Sequence, residues 1–181
     1  MPTIVTHAVL PLIGAMALPK MRFSPGLIMA GMAVGVLPDA DIVSRYFGVP
    51  HTADFGHRGA THTLAFALFI AALALAAPRQ SRNHALKAFT FILISTLSHP
   101  LADMMNDGGK GIMLLWPLDH DRFKFLLHPV KVSAVGLQGL ETGTIWPTLW
   151  SELLWLLLPA ALLAAMARFA ANSHTGAADP D

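Results

Sequence analysis

Five apolar segments constrain the fold of this chain more than any other feature. They cover residues 4–18, 21–37, 61–77, 85–105 and 146–171. At about 1.5 Å per residue, a helix needs about 20 residues to cross a hydrocarbon core of about 30 Å. The last two segments reach that length, whereas the first two are short and are expected to tilt or to enter only partway. The segments therefore predict an all-α, membrane-embedded antiparallel bundle of about five helices.

The composition agrees with a membrane location. Hydrophobic residues make up 54% of the chain and charged residues 13%, whereas soluble domains carry about 25% charged residues. The net charge of +1 gives no indication of a nucleic-acid partner, and no protein partner is predicted. The absence of cysteine excludes disulfide bonds and thiolate zinc sites. The length predicts one domain over residues 1–171, followed by a polar, disordered tail over residues 172–181.

Prolines and hydroxyl residues predict where the helices begin and end. Ser24 followed by Pro25 predicts the start of the second helix, and Thr61 can cap the third. Pro38 predicts the end of the second helix and Pro78 the end of the third.

Charge distribution predicts the orientation of the bundle. Most acidic residues lie near one end of the bundle. Near the opposite end, the turns after the first and third segments and the end of the fifth segment carry Lys and Arg without acids. By the positive-inside rule these ends face the cytoplasm of a bacterial inner membrane. The N-terminus is then outside, the chain makes five passes, and the C-terminus is cytoplasmic. Residues 106–145 form a long outer loop that is expected to lie over the bundle as a lid or short subdomain. The basic residues at these cytoplasmic ends are Lys20, Arg22, Arg79, Arg82, Lys87 and Arg168.

Histidine and aspartate residues lie at the ends of four of the apolar segments. In an antiparallel bundle they all fall at the outer end. Ionisable residues in or beside a membrane are costly and usually functional, and imidazole with carboxylate suits Zn²⁺, Mn²⁺ or Fe²⁺. Because the set exceeds the four ligands of one zinc ion, we predict two divalent ions, with zinc first. The candidate metal ligands are His7, Asp39, Asp41, His57, His62, His99 and Asp103.

Two of the motifs have alternative interpretations that the sequence leaves open. His99 and Asp103 are four residues apart and share one helical face, so they can chelate one ion or form a simple helix-end pair. Asp39 and Asp41 repel each other unless a cation or solvent intervenes, so they are either ligands or an exposed acidic turn. His7 is weakest alone and depends on its position at the same end.

The third motif runs from His57 through Arg58 and Gly59 to His62. A glycine here indicates a tight turn, and the helix start together with Arg58 adds positive potential suited to an anion. The alternative is a polar loop with incidental histidines. Further outer-loop residues that could add ligands or substrate contacts are His51, Asp54, Asp119, His120, Asp121 and His128.

In these motifs the chain resembles the YdjM-like family of inner-membrane proteins, which are proposed to be metal-dependent hydrolases. That family is distantly similar to zinc-dependent phospholipase C and to single-strand nucleases of the same helical fold, which cleave phosphoesters. The resemblance implies metal roles for His7, Asp39 or Asp41, His57 or His62, His99 and Asp103. No second His-x-x-x-Glu follows Asp103, so a third metal ion is not expected. The matching pieces are Thr6-His7, Leu-Pro-Asp-Ala-Asp ending at Asp41, His-Arg-Gly-Ala-Thr-His-Thr from His57, His-Pro-Leu-Ala-Asp from His99, and Leu-Leu-Trp-Pro-Leu from Leu114 with Arg122-Phe123 after it.

The expected function is that of a membrane-bound, metal-dependent hydrolase of phosphoesters or phospholipids that uses metal-activated water. Membrane lipids and a phosphoester or lipid-like substrate are its expected partners. Asp41, as ligand or water-orienting group, and Arg58, holding the substrate anion, are the expected catalytic residues, in a site that faces the periplasm. The alternative is a non-catalytic metal-binding or transport protein, although transport sites usually lie near the bilayer midplane.

Overall fold

The computed structural model describes residues 2–18, 21–76, 81–132 and 137–173. Within these ranges the regular structure is helical apart from two isolated β-bridges, which confirms the all-α prediction. A 3-10 helix, Leu37–Phe47, continues α2, and a π-helical turn, Leu153–Leu157, joins α6 to α7. Pro78 and residues 174–181 lie outside the described residues, whereas Asn172 and Ser173, predicted to begin the disordered tail, end α7 instead. The α-helices are α1 (Ile4–Ala17), α2 (Pro25–Val36), α3 (Leu64–Leu75), α4 (Arg82–Asp103), α5 (Leu137–Glu141), α6 (Ile145–Glu152) and α7 (Leu158–Ser173).

Helix capping follows one of the two predictions. Ser24 caps α2, and its side chain accepts a hydrogen bond from the backbone N–H of Leu27. Thr63, not Thr61, caps α3, so the predicted cap is wrong. The reason is that the Thr61 hydroxyl donates a hydrogen bond to Asp41 at 2.7 Å and is drawn toward the polar end of the bundle.

The second α-helix ends directly before Pro38, as predicted, because α2 stops at Val36 and the chain continues as a 3-10 helix from Leu37. Pro38 occupies the first turn of that 3-10 helix, where proline needs no backbone N–H donor. The combined helix Pro25–Phe47 is therefore long and apolar enough to cross a membrane, as are Arg82–Asp103 and Ile145–Ser173. The helices α1 and α3 are apolar but shorter.

Two glycines of α2 allow close packing of the bundle and position the first histidine. Helix α2 packs against both α1 and α4. A Cβ on Gly31 would collide with the Phe91 ring of α4, and one on Gly35 would lie 2.6 Å from the carbonyl oxygen of His7 on α1. The two glycines have the small-xxx-small spacing that allows close helix contact, and this contact brings His7 beside the end of α4.

The segment 106–132 lies against the end of the bundle that carries the histidines. It is pinned by the bridges Asn106–Val130 and Ile112–Phe123. Asn106, Ile112 and Val130 are fully buried. This segment therefore covers the polar end of the helices.

Candidate metal centre

Four parts of the chain deliver the predicted ligands to one place. Helix α1 supplies one ligand, the 3-10 helix after α2 supplies two aspartates, the turn before α3 supplies two histidines, and the end of α4 supplies the last pair. Their side chains are almost completely shielded from solvent. All seven predicted ligands are therefore neighbours: His7, Asp39, Asp41, His57, His62, His99 and Asp103.

The centre of this cluster is a group of four residues: Asp39, His62, His99 and Asp103. One donor atom from each lies within 4.8 Å of the others. His99 Nε2 is 3.2 Å from His62 Nε2 and 3.3 Å from Asp39 Oδ1, and His62 Nε2 is 3.8 Å from Asp103 Oδ2. Ligands bound at about 2.0–2.1 Å in a tetrahedron lie about 3.3 Å apart. The four donors are thus spaced for one small divalent ion.

In His62 and His99, the hydrogen bond made by Nδ1 determines whether Nε2 carries a proton or a lone pair. His99 Nδ1 lies 2.8 Å from the carbonyl oxygen of Gly35, which can only accept, so Nδ1 carries the proton. His62 Nδ1 lies 3.1 Å from Asp41 Oδ2, which likewise accepts. The two Nε2 lone pairs then face each other across 3.2 Å. Such a contact requires a cation between the rings or a second proton on one of them.

Asp41 holds histidines rather than facing the centre. Its Oδ1 is 2.6 Å from His57 Nδ1, and its Oδ2 accepts from the Arg58 backbone N–H at 3.0 Å and from Thr61 at 2.7 Å. Carboxylates that orient a metal-binding imidazole make contacts of this kind. Asp41, His57 and His62 form a second group with metal-ligand spacing. A neutral His62 has a single lone pair, so it cannot serve both groups at once.

Arg58 is buried and balances part of the negative charge. Its Nε lies 2.9 Å from Asp103 Oδ2, and its Nη1 donates to the Gly108 carbonyl oxygen at 3.2 Å. Its φ of 65° is a strained backbone conformation for a residue with a side chain. This backbone conformation directs the Arg58 guanidinium toward Asp103. With Asp39, Asp41 and Asp103 ionised, this single guanidinium leaves two negative charges, which one divalent cation would neutralise.

His7 lies at the edge of the four-residue group. Its ring stacks on that of His99 with centroids 3.6 Å apart, and its Nε2 is 3.8 Å from Asp103 Oδ1. Both of its nitrogens are buried without a hydrogen-bond partner, as are both carboxylate oxygens of Asp39. Buried polar atoms in this state are rare in proteins unless an ion or water completes them. These atoms therefore fit a metal centre.

Sequence reasoning missed Glu152, which is 1% exposed in α6. Its carboxylate accepts hydrogen bonds from the backbone N–H and hydroxyl of Thr3, at 2.6 and 2.7 Å, and from the hydroxyl of Thr6. Glu152 thereby links the start of α1 to α6. One of its partners, Thr6, directly precedes His7. An acid inside an apolar segment was the signal that could have found it.

The outer-loop candidates do not join the cluster. The His51 ring meets the His57 ring edge-on with centroids 5.2 Å apart, and its partial burial and the neighbouring His57 lower the pKa of His51. His120 pairs with Asp54 at 3.1 Å, and both side chains are substantially exposed. They are surface groups around the covered centre.

This arrangement defines a small multi-pass membrane protein with a buried His–Asp centre at one end of its helical bundle. The chain belongs to the YdjM inner membrane protein family, whose family model matches residues 1–174. It is 38% identical to the inner membrane protein YbcI of Escherichia coli (strain K12) over 167 residues, which covers 92% of this chain and 96% of that relative. No solved structure matches the chain. Membership confirms the predicted family and the inner-membrane location.

Proposed function

We propose that this protein is a membrane-bound, metal-dependent hydrolase of phosphoesters. The observation that carries the proposal is the pair of Nε2 atoms of His62 and His99, 3.2 Å apart and flanked by the unpartnered carboxylate oxygens of Asp39. A divalent cation held there would lower the pKa of bound water and polarise a phosphoryl oxygen. Zinc is the first candidate because the donors are imidazoles and carboxylates in a four-residue group.

The surrounding residues have separate roles in this proposal. Asp39, His62 and His99 hold the ion, and Asp103 lies beside it against Arg58, so that one coordination position stays open for water. His7 packs on His99 at the edge of the group. Asp41 fixes the ring orientations of His57 and His62. The sequence predicted two ions, and the geometry favours one because His62 has a single lone pair to offer.

We also propose that Arg58 contacts the anionic group of the substrate, as the sequence predicted. Its Nε is engaged with Asp103, but a guanidinium has five N–H donors. A phosphoryl oxygen entering the centre would therefore meet a buried cation that is already oriented.

The first test measures metal in protein purified in detergent. We expect about one zinc ion per chain in the wild type and a large loss in His99→Ala. The matched control is His84→Ala, because His84 is exposed at the start of α4, where it pairs with Ser81. Absence of stoichiometric metal from the wild type would reject the proposal.

The second test measures activity against a water-soluble phosphodiester and against phospholipid vesicles. Chelation should abolish hydrolysis, and re-addition of zinc should restore it. His99→Ala should lose the activity, and His84→Ala should keep it.

The near-complete burial of the ligands supports a second candidate, a metal-binding protein without catalysis. Structural metal sites have every coordination position filled by protein, whereas catalytic sites keep one open. In the structural case, chelation lowers the unfolding temperature and no phosphoester is cleaved by the metal-loaded protein. In the catalytic case, the loaded protein turns over substrate.

A further inference from the structure

An apolar groove runs along the outside of the bundle between α1 and α4. It has a volume of about 290 Å³ and is lined on α1 by Leu10, Gly14 and Leu18 and on α4 by Thr90 and Ile94, among others. Gly14, Leu18 and Ile94 are exposed, so the groove faces the surroundings of the helices. In a membrane these surroundings are lipid chains.

The groove begins beside the metal centre. Leu10 and Pro11 line it one helical turn after His7, and Ser98, directly before His99, lines it on α4. Helices α1 and α4 are antiparallel, so both walls run away from the centre toward the other end of the bundle. A molecule with its polar group at the centre would therefore extend its apolar part along this groove.

The length and volume of the groove indicate which kind of molecule can bind in it. Residues 10–18 of a helix span about 12 Å at about 1.5 Å per residue, close to half of a hydrocarbon core of about 30 Å. A groove of about 290 Å³ with this length has room for one extended hydrocarbon chain, and it is too small to enclose a helix, which is about 10–12 Å wide with its side chains.

We propose that this groove binds one acyl chain of a phospholipid whose phosphate lies at the metal centre. The inference rests on the proposed hydrolase function and names the substrate class of that site as a long-chain phospholipid. The side chains that line the groove bury the chain, and the lack of a side chain at Gly14 leaves room for it.

Gly14 provides a direct test, because a Cβ placed on it meets no atom within 4 Å. Leucine there would project into the groove without displacing the backbone, and it is a better helix former than glycine. Gly26 on α2 is a matched control: it is exposed, lies outside the groove, and its Cβ also meets nothing within 4 Å. Gly14→Leu fills the groove, whereas Gly26→Leu leaves it open.

The experiment places each protein in nanodiscs that contain a phospholipid with a diazirine midway along one acyl chain. After irradiation, peptide mass spectrometry should find label concentrated on α1 and α4 at the groove. We expect at least a fivefold decrease in that label for Gly14→Leu and no change for Gly26→Leu. Label spread evenly over the lipid-facing residues of α7, or a groove free of label because another protein covers it, would overturn the proposal.

Two further readouts separate this inference from the proposed function. Zinc content is measured on the same samples and should be equal in the wild type and both glycine variants. Absence of zinc from the wild type rejects the hydrolase proposal, whatever the label shows.

The second readout is kinetic. If hydrolysis is found, Gly14→Leu should raise the KM for a long-chain phospholipid several-fold and leave the KM for a water-soluble phosphodiester unchanged. Equal effects on the two substrates would overturn the acyl-chain assignment while leaving the hydrolase in place.

Discussion

At the scale of single residues, the two aspartates of the 3-10 helix have different partners although they are only two positions apart. Asp39 Oδ1 approaches His99 Nε2 at 3.3 Å and His62 Nε2 at 3.7 Å. Asp41 instead contacts His57 and His62 through their Nδ1 atoms. In the proposed centre, Asp39 is a ligand of the ion, whereas Asp41 orients the ring of His62, which is another ligand.

Replacing each aspartate by asparagine should separate these roles. Loss of an orienting carboxylate typically weakens metal binding by about 10–100-fold, so Asp41→Asn should still bind one zinc ion, with lower affinity. Asp39→Asn removes a ligand and should weaken binding further. Competition with a chelator of known zinc affinity measures both, with Asp54→Asn at the surface as the control. Equal losses for the two variants would contradict the assignment.

At the scale of the helices, the least predictable contact joins α1 to α6, which are far apart in the sequence. Glu152 in α6 accepts three hydrogen bonds from Thr3 and Thr6 at the start of α1. Hydrogen bonds to a charged group contribute about 1.5–3 kcal/mol each, and an unsatisfied buried partner is costly. Glu152 therefore anchors the helix that carries His7.

We expect Glu152→Gln to lower the unfolding free energy by about 2 kcal/mol, because glutamine keeps the size of the side chain but loses its charge and one acceptor. Thermal unfolding followed by circular dichroism in detergent should show a decrease of several degrees in Tm. Glu141→Gln is the control, since Glu141 is exposed at the end of α5. Equal unfolding temperatures for the two variants would show that this contact does not hold α1 in place.

The same scale shows which features the sequence could predict. The helices and the gathering of His7, Asp39, His62 and His99 followed from local patterns, because each residue ends an apolar segment and antiparallel helices alternate direction. The contact of Glu152 with α1 could not be predicted, since its partners lie 146 and 149 positions away and depend on tertiary packing. The cap at residue 63 was missed for a similar reason: a distant aspartate competes for the hydroxyl of residue 61.

At the scale of the whole molecule, charged side chains differ in their surroundings at the two ends. At the end away from the metal centre, Lys87 donates to the carbonyl oxygens of Met21 and Arg22, and Arg168 donates to that of Met16. These contacts bring basic residues of the α1–α2 connection, α4 and α7 to the same end, with no acid among the contacts described there.

The end with the metal centre also carries basic residues, so counting Lys and Arg alone does not decide the orientation. There, however, Arg58 pairs with Asp103 and Lys131 with Asp107. Most acidic residues lie at this end, so its basic charge is largely balanced. The positive-inside rule counts Lys and Arg and is not a net-charge rule, so the cytoplasmic location of the end with Lys87 and Arg168 stays a prediction that calls for a direct measurement.

The orientation can be measured directly because the chain has no cysteine. Asp121→Cys introduces an exposed thiol in the segment over the metal centre, and His84→Cys introduces one at the start of α4. If the metal centre faces the periplasm, a membrane-impermeant maleimide should label the first variant in intact cells and the second only after lysis. The wild type controls for background labelling. Labelling of His84→Cys in intact cells, with Asp121→Cys protected until lysis, would reverse the orientation and place the substrate of the proposed hydrolase in the cytoplasmic leaflet.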